Sequence, residues 1–171
     1  YLCISMGLKP RIALPLLQKK VLQGEYEPEP MPDLDKVLAF LGRKNIGYAV
    51  ASNTVYSAAD TESHIKGCFP HANFAFVMAS SEIAVKKPNP RFFLTAAKLA
   101  GHKASECIYI GDNFYADVFG SQHAGFAESI WFNRRLEKPP FVNHPDIPGN
   151  MRFTEVHSDL ELLTVLERRL A

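Results

Sequence analysis

Asp112 and Asp117 are the two side chains in this 171-residue chain whose type and spacing point most directly to chemistry. They stand in Cys107-Ile-Tyr-Ile-Gly-Asp-Asn-Phe-Tyr-Ala-Asp117. The run Ile108, Tyr109, Ile110 reads as a buried parallel strand. The chain breaks at Gly111 and delivers Asp112 just past the strand's carboxyl end. A helix predicted over 113–123 puts Asp117 near its first turn, facing Asp112. Ligands of open α/β sheets bind in the crevice outside the carboxyl ends of the strands. Two carboxylates meeting there make a hard oxygen site, suited to Mg²⁺ and through it to phosphate. The competing reading is structural, with one of the two aspartates capping the helix.

Two further positions fall at comparable places. Ser52-Asn53 follows the strand-like run 46–51, and Lys87 lies in the loop Val85-Lys-Lys-Pro-Asn-Pro-Arg91 that opens a helix. A small hydroxyl beside a backbone amide at a strand end holds a phosphoryl oxygen. A lysine neutralises charge developing on a transferring phosphoryl group. Phosphoryl transfer needs little beyond positioning and charge compensation. Taken singly, Ser52 reads equally as a hydroxyl bonding its own loop, and Lys86 and Lys87 as solvated charges. Their order, each at a strand or loop end, raises the chemical reading above that one.

The elements that must position these residues are legible as alternating strands and helices. A helix capped by Asp33 carries Leu34, Val37, Leu38 and Leu41 on one face and ends near 42–45. A polar helix follows Ser52-Asn53-Thr54 and stops at Gly67. Strands are expected over 73–78, 128–132 and 153–156. Asn89 and Pro90 suit the cap and first position of a helix that Gly101 ends. Ser158-Asp-Leu-Glu161 has the form of a capping box before a terminal helix. Strand–helix alternation predicts an α/β fold, a Rossmann-like doubly wound parallel sheet. Residues 24–32, acidic and proline-rich, are the clearest boundary, and residues 1–23 before them look helical. Residues 138–149, with four prolines, read as a loop.

Composition narrows the function classes. Hydrophobic content of 47% and charged content of 22% are ordinary for a globular domain. A net charge of +1 gives no basis for a nucleic-acid partner or an anionic membrane. No apolar run is long enough to span a bilayer. Cys3, Cys68 and Cys107 are scattered and read as free thiols of a reducing cytoplasmic compartment, and the six dispersed histidines lack ligand spacing. Trp131 and Phe92-Phe93 read as core. Arg134-Arg135 read as a solvated pair near the end of the fourth strand.

Taken together, these motifs resemble the haloacid dehalogenase-like hydrolase superfamily, its phosphatase-type members in particular. The resemblance runs from about Met31 to the C-terminus. The second motif of that family is a hydrophobic strand ending in Ser or Thr, here Val50-Ala-Ser52-Asn53. The third is a lysine before a helix, here Lys87-Pro-Asn-Pro-Arg-Phe-Phe93. The fourth is Gly-Asp-x-x-x-x-Asp, here Gly111 to Asp117, followed by Gly120 and Ala124-Gly125. Ile130-Trp-Phe-Asn133 and the Ser-Asp-Leu-Glu helix fit as well. The resemblance implies that Ser52 and Asn53 bind the substrate's phosphoryl group and that Lys87 stabilises it. It implies Asp112 as the Mg²⁺ ligand, with Asp117 as second ligand or orienting partner. It makes residues 1–30 the end of a helical cap plus connector, and 31–171 the core.

The family's chemistry starts from a strand ending in Asp-x-Asp, whose first aspartate becomes the aspartyl-phosphate. The resemblance places that strand upstream of Tyr1, and this sequence does not contain it. Asp33-Leu-Asp-Lys-Val37 spells the motif, but residues 25–32 before it hold three prolines and no apolar run. The expectation is therefore a parent Mg²⁺-dependent phosphomonoester hydrolase for a small cytoplasmic phosphate, such as a nucleotide or sugar phosphate. The 171 residues alone are expected to be inactive, with the sheet's central strand missing. Carbon–halogen hydrolysis is one alternative, and a non-catalytic haloacid dehalogenase-like module that binds phosphate or a partner is the alternative of a different functional class.

Overall fold

The structure is a computed structural model that describes residues 30–138 and 151–171, with 13, 16, 20 and 147 besides. The cap expected over 1–30, Cys3 and most of the loop over 138–149 therefore lie outside the described residues. In order the elements are α1 (Leu34–Arg43), β1 (Val50–Ser52), α2 (Ala58–Cys68), β2 (Val77–Ala79) and α3 (Ser80–Ile83). They continue with α4 (Pro90–Leu99), a 3₁₀ turn (Ala104–Glu106), β3 (Ile108–Gly111) and a π-helical segment (Phe114–Phe119). The last are α5 (Gly120–His123), β4 (Glu128–Phe132), β5 (Thr154–Val156) and α6 (Asp159–Arg169). Every strand pairing is parallel.

Helices cover both faces of the β3–β4–β5 sheet, and β4 shows how. Ile130 and Phe132 point to one side and pack with Val37, Phe40 and Leu41 of α1 and Leu162 and Leu166 of α6. Trp131 points to the other side, against Phe114 and Val118 of the π-helical segment. This is the period-two alternation of a strand buried on both faces. A third cluster joins Phe92, Phe93 and Ala96 of α4 to Met78 of β2, with Tyr109 and Phe126 packed against it.

The sheet comes in two pieces, β1–β2 and β3–β4–β5. Val50 N–H donates to Phe76 O, so Val50 faces β2 and the alternation turns Ala51's backbone groups the other way, toward β3. Cys107 O accepts from Ala127 N–H on the β4 side, so Ile108 and Ile110 face the β1 side. Among the described residues no strand joins these two edges. This corrects the expectation of a buried β3, because Ile110 is 37% exposed.

Local signals held with informative exceptions. Asn89 Oδ1 accepts from Arg91 N–H (3.0 Å) and Pro90 opens α4. Gly101 follows with φ +75°, a conformation that suits glycine. Asp33 sits at the N-cap of α1, but its carboxylate makes no capping bond. It pairs instead with Lys36, at 2.6 Å. Gly67 lies inside α2, which runs on to Cys68. Of the capping box, Ser158 Oγ accepts from Glu161 N–H (3.2 Å), while Glu161 reaches one residue further back, to His157 N–H (2.8 Å). β1, β2 and β5 are three residues each, and β2 (Val77–Ala79) runs past the end of the expected 73–78, because pairing and not hydrophobicity sets their ends.

Candidate active site

Ser52 ends β1, Lys87 precedes α4, and Asp112 and Asp117 flank the start of the π-helical segment. Lys87 Nζ lies 2.6 Å from Asp117 Oδ1, and the pair is buried, with side chains 12% and 2% exposed. The other oxygen of Asp117 accepts from Asn113 N–H at 3.0 Å. A carboxylate this deep is tolerable only when paired and hydrogen-bonded, as both oxygens here are. Lys87 is therefore no solvated loop charge. Lys86 does not share this arrangement.

Gly111 is what lets Asp117 fold back against the end of β3. A Cβ at Gly111 would lie 2.4 Å from Asp117 Cγ and 2.5 Å from its Oδ2, far inside contact distance. Gly120 does the same for the Lys87 loop, since a Cβ there would meet the Phe93 ring at 2.6 Å and Pro88 Cα at 2.9 Å. The helix predicted over 113–123 is thus a π-helical segment followed by one α-helical turn, capped by Asn113 Oδ1, which accepts from Ala116 N–H (2.8 Å). Neither aspartate is the cap.

Asn53, a candidate for substrate or motif support, grips the Lys87 backbone with its amide, accepting from Lys87 N–H (2.8 Å) and donating to Lys87 O (3.1 Å). The second and third motifs are thereby bolted together across 34 residues of chain. Ser80 Oγ steadies the same loop through both backbone groups of Thr54, at 3.1 Å each. Ser52 is half-buried at the strand end, beside this clamp.

Asp112 is exposed. Its main-chain oxygen accepts from Trp131 Nε1 (2.9 Å), which anchors the residue while its side chain stays exposed. Among the described residues no three His, Cys, Asp or Glu side chains are grouped to hold a metal ion. One open carboxylate backed by a second suits Mg²⁺, which takes one or two carboxylates and fills its shell with water and substrate phosphate. It does not suit a zinc site of three or four protein ligands.

Sequence reasoning missed Tyr109. Its hydroxyl accepts from Lys87 Nζ (3.2 Å) and donates to Ala51 O (3.0 Å). Burial, and then the Asp117 carboxylate, push its phenol well above the ordinary tyrosine value. The available signal was a polar hydroxyl in an apolar strand, which requires a partner once buried. Arg134 was read as solvated, but it pairs with the buried Asp159 at 2.7 Å, behind the end of β4.

The sequence model of the haloacid dehalogenase-like hydrolases matches residues 12–125. The chain belongs to that family. The match begins earlier than Met31, within the segment read as a cap. A glyceraldehyde 3-phosphate phosphatase of Methanopyrus kandleri is 30% identical over 143 residues, which is 84% of this chain and 58% of that protein. A phosphoserine phosphatase of Thermus thermophilus is 30% identical over 122 residues, 71% of this chain and 48% of that protein. The chain thus spans about half the length of these curated relatives. Among solved structures, a dehalogenase superposes with a TM-score of 0.70 at 20% identity, over 96% of this chain and 67% of that one. That likeness speaks for the fold alone.

Proposed function

We propose that this chain carries the phosphate- and metal-binding part of a Mg²⁺-dependent phosphomonoester hydrolase acting on a small phosphate. The observation that carries the reading is the buried Lys87–Asp117 pair, held beside Ser52 and the open Asp112 carboxylate at the carboxyl ends of β1 and β3. Ser52 donates its hydroxyl to a phosphoryl oxygen. Lys87, fixed in place by Asp117 and Asn53, offsets the negative charge growing on the phosphoryl group. Asp112 holds the metal, and Asp117 reaches it only through lone pairs left over from its bonds to Lys87 and Asn113. When bound, Mg²⁺ supplies charge to the phosphoryl oxygens and orients them.

The nucleophile is not among the described side chains at the strand ends, and Asp33 is paired with Lys36 at the start of a helix. Among the described residues no strand pairs with the facing edges of β1 and β3. We place the attacking aspartate at the end of such a strand, supplied by chain outside these residues. Its carboxylate oxygen bonds to phosphorus as the ester P–O bond breaks. The second aspartate of that upstream Asp-x-Asp, protonated, gives its proton to the leaving alcohol and later takes one from the attacking water. Water then takes the phosphoryl group as inorganic phosphate.

The names of the relatives make three-carbon phosphates and phosphoserine the first esters to try. The test is phosphate release from such a panel by the natural full-length protein, with Mg²⁺ and with chelator, beside its Asp112→Asn variant. Release that needs the metal and falls at least a hundredfold in the variant is expected. Halide release from a 2-haloacid that survives chelation would replace this reading with the dehalogenase one. No turnover of either kind would leave a binding module.

A further inference from the structure

We infer that Tyr109 is a positioning residue, whose hydroxyl ties the strand bearing Ser52, the loop bearing Lys87 and the strand bearing Asp112 into one unit. The inference rests on the phosphatase reading for its kinetic consequence, but its geometry stands without it.

Tyr109 projects from β3 on the face it shares with its register partner Ser129, and Gly111 shares that face with Trp131. There its ring is enclosed edge-on by Phe93 (4.9 Å between centroids) and Phe126 (5.9 Å), both at steep interplanar angles. Phe93 is fully buried. A ring clamped on two sides has one place to put its hydroxyl, and that place is between Lys87 Nζ and Ala51 O. Packing supplies rigidity, and the hydroxyl converts it into a fixed point at the site.

The three partners belong to three different segments. Ala51 immediately precedes Ser52 in β1. Lys87 leads into α4, and Tyr109 itself lies three residues before Asp112. No strand ladder joins β1 to β3, so among the described residues the Tyr109 hydroxyl is a direct hydrogen bond between them. The bond is compatible with a strand filling the gap, because a backbone carbonyl has two lone pairs and Tyr109 approaches from one face.

For Lys87, the hydroxyl adds direction. An ammonium has three donors on a flexible four-carbon stem, and a single carboxylate leaves it free to pivot. Asp117 takes one donor at 2.6 Å and Tyr109 a second at 3.2 Å. The third is then fixed in direction relative to those two. Phenylalanine at 109 would keep both ring contacts and lose the hydroxyl's two bonds, to Lys87 Nζ and to Ala51 O.

The experiment is Tyr109→Phe in the natural full-length protein, with two independent readouts. The first is steady-state phosphate release. A drop in kcat of about tenfold with KM within twofold is expected, because one charge-assisted hydrogen bond orienting the transition state is lost. The second needs no turnover: the ¹H–¹⁵N signal of the Lys87 ammonium, identified by its loss in Lys87→Met. Its exchange with solvent should be slow in the natural chain and several-fold faster in Tyr109→Phe. Unchanged exchange with unchanged kcat, accompanied only by a lower unfolding midpoint, would reduce Tyr109 to a packing residue and overturn the inference. Should no ester be turned over, the phosphatase reading fails while the ammonium signal still decides Tyr109. Should the Phe variant not fold, the natural chain still decides. A Tyr109 hydroxyl proton exchanging as fast as an exposed phenol would refute the tie.

Discussion

Replacing Asp117 by asparagine changes one oxygen to an amide nitrogen and leaves the shape of the site intact, so its cost isolates the charge. In the structure, Asp117 is 2% exposed and Lys87 12%, with their charged atoms 2.6 Å apart. The variant leaves the Lys87 ammonium in a site that excludes water, with Tyr109 as a neutral acceptor and no counter-charge. Asn113 N–H keeps an acceptor only if the amide oxygen takes the place of Oδ2, which turns the amide NH₂ toward Lys87. Breaking one side of a buried pair costs about 3–5 kcal/mol. At about 2–4 °C per kcal/mol for a chain of this size, the unfolding midpoint should fall by roughly 6–20 °C. The assay is thermal and urea unfolding of the natural protein, Asp117→Asn, Lys87→Met and the double variant. The double variant should recover much of the loss, because it removes the stranded charge. Asp33→Asn, which breaks the exposed pair with Lys36, is the control and should stay within the error of the midpoint. An Asp117→Asn midpoint as close to the natural one as that control would refute the claim that the site is built on a buried ion pair.

Three further outcomes follow from particular contacts. Gly111→Ala drives a methyl into the Asp117 carboxylate, which its two bonds hold in place, and should cost about 1–3 kcal/mol while loosening Lys87. Unfolding of the variant checks it, and a neutral result would mean that Asp117 moves freely. Ala84 follows α3 at φ +53°, so Ala84→Gly should raise stability by about 0.5–1 kcal/mol in urea unfolding, and an unchanged or lower midpoint would refute the strain. The Tyr109 phenol is raised on folding, so its contribution to stability is complete below the ordinary tyrosine value of about 10 and is lost as pH climbs above it. Stability should decline above about pH 10, and Tyr109→Phe should flatten that part of the curve. Tyrosinate absorbance of Tyr109 appearing below that pH in the folded protein would contradict the burial.

The residues of the site were legible because their signals are local. Ser52 follows an apolar run, Lys87 precedes a Pro-x-Pro helix start, and Asp112 and Asp117 share one strand–turn–helix segment. Helical spacing likewise placed α1, apolar runs placed β3 and β4, and cap and stop residues placed α4 and α6, since burial and capping are written into neighbouring positions. Side-chain partners were less legible. Asp33 and Asn53 have the residue types of a cap and a phosphate-loop amide. A cap and a backbone grip use the same groups, and only the position of Lys36 or Lys87 decides between them.

What the sequence by itself determined is the parallel α/β class and the order in which strand ends present Ser52, Lys87, Asp112 and Asp117, because strand alternation and turn residues are properties of neighbouring positions. What only the tertiary structure decided is how those ends are joined. Asn53 clasps Lys87 across 34 positions, Asp117 meets Lys87 across 30, and Tyr109 reaches Ala51 across 58. Such contacts exist because the chain doubles back onto one sheet. Their strength comes from burial that no single segment possesses, and a hydrogen bond or ion pair takes its value from the water excluded around it.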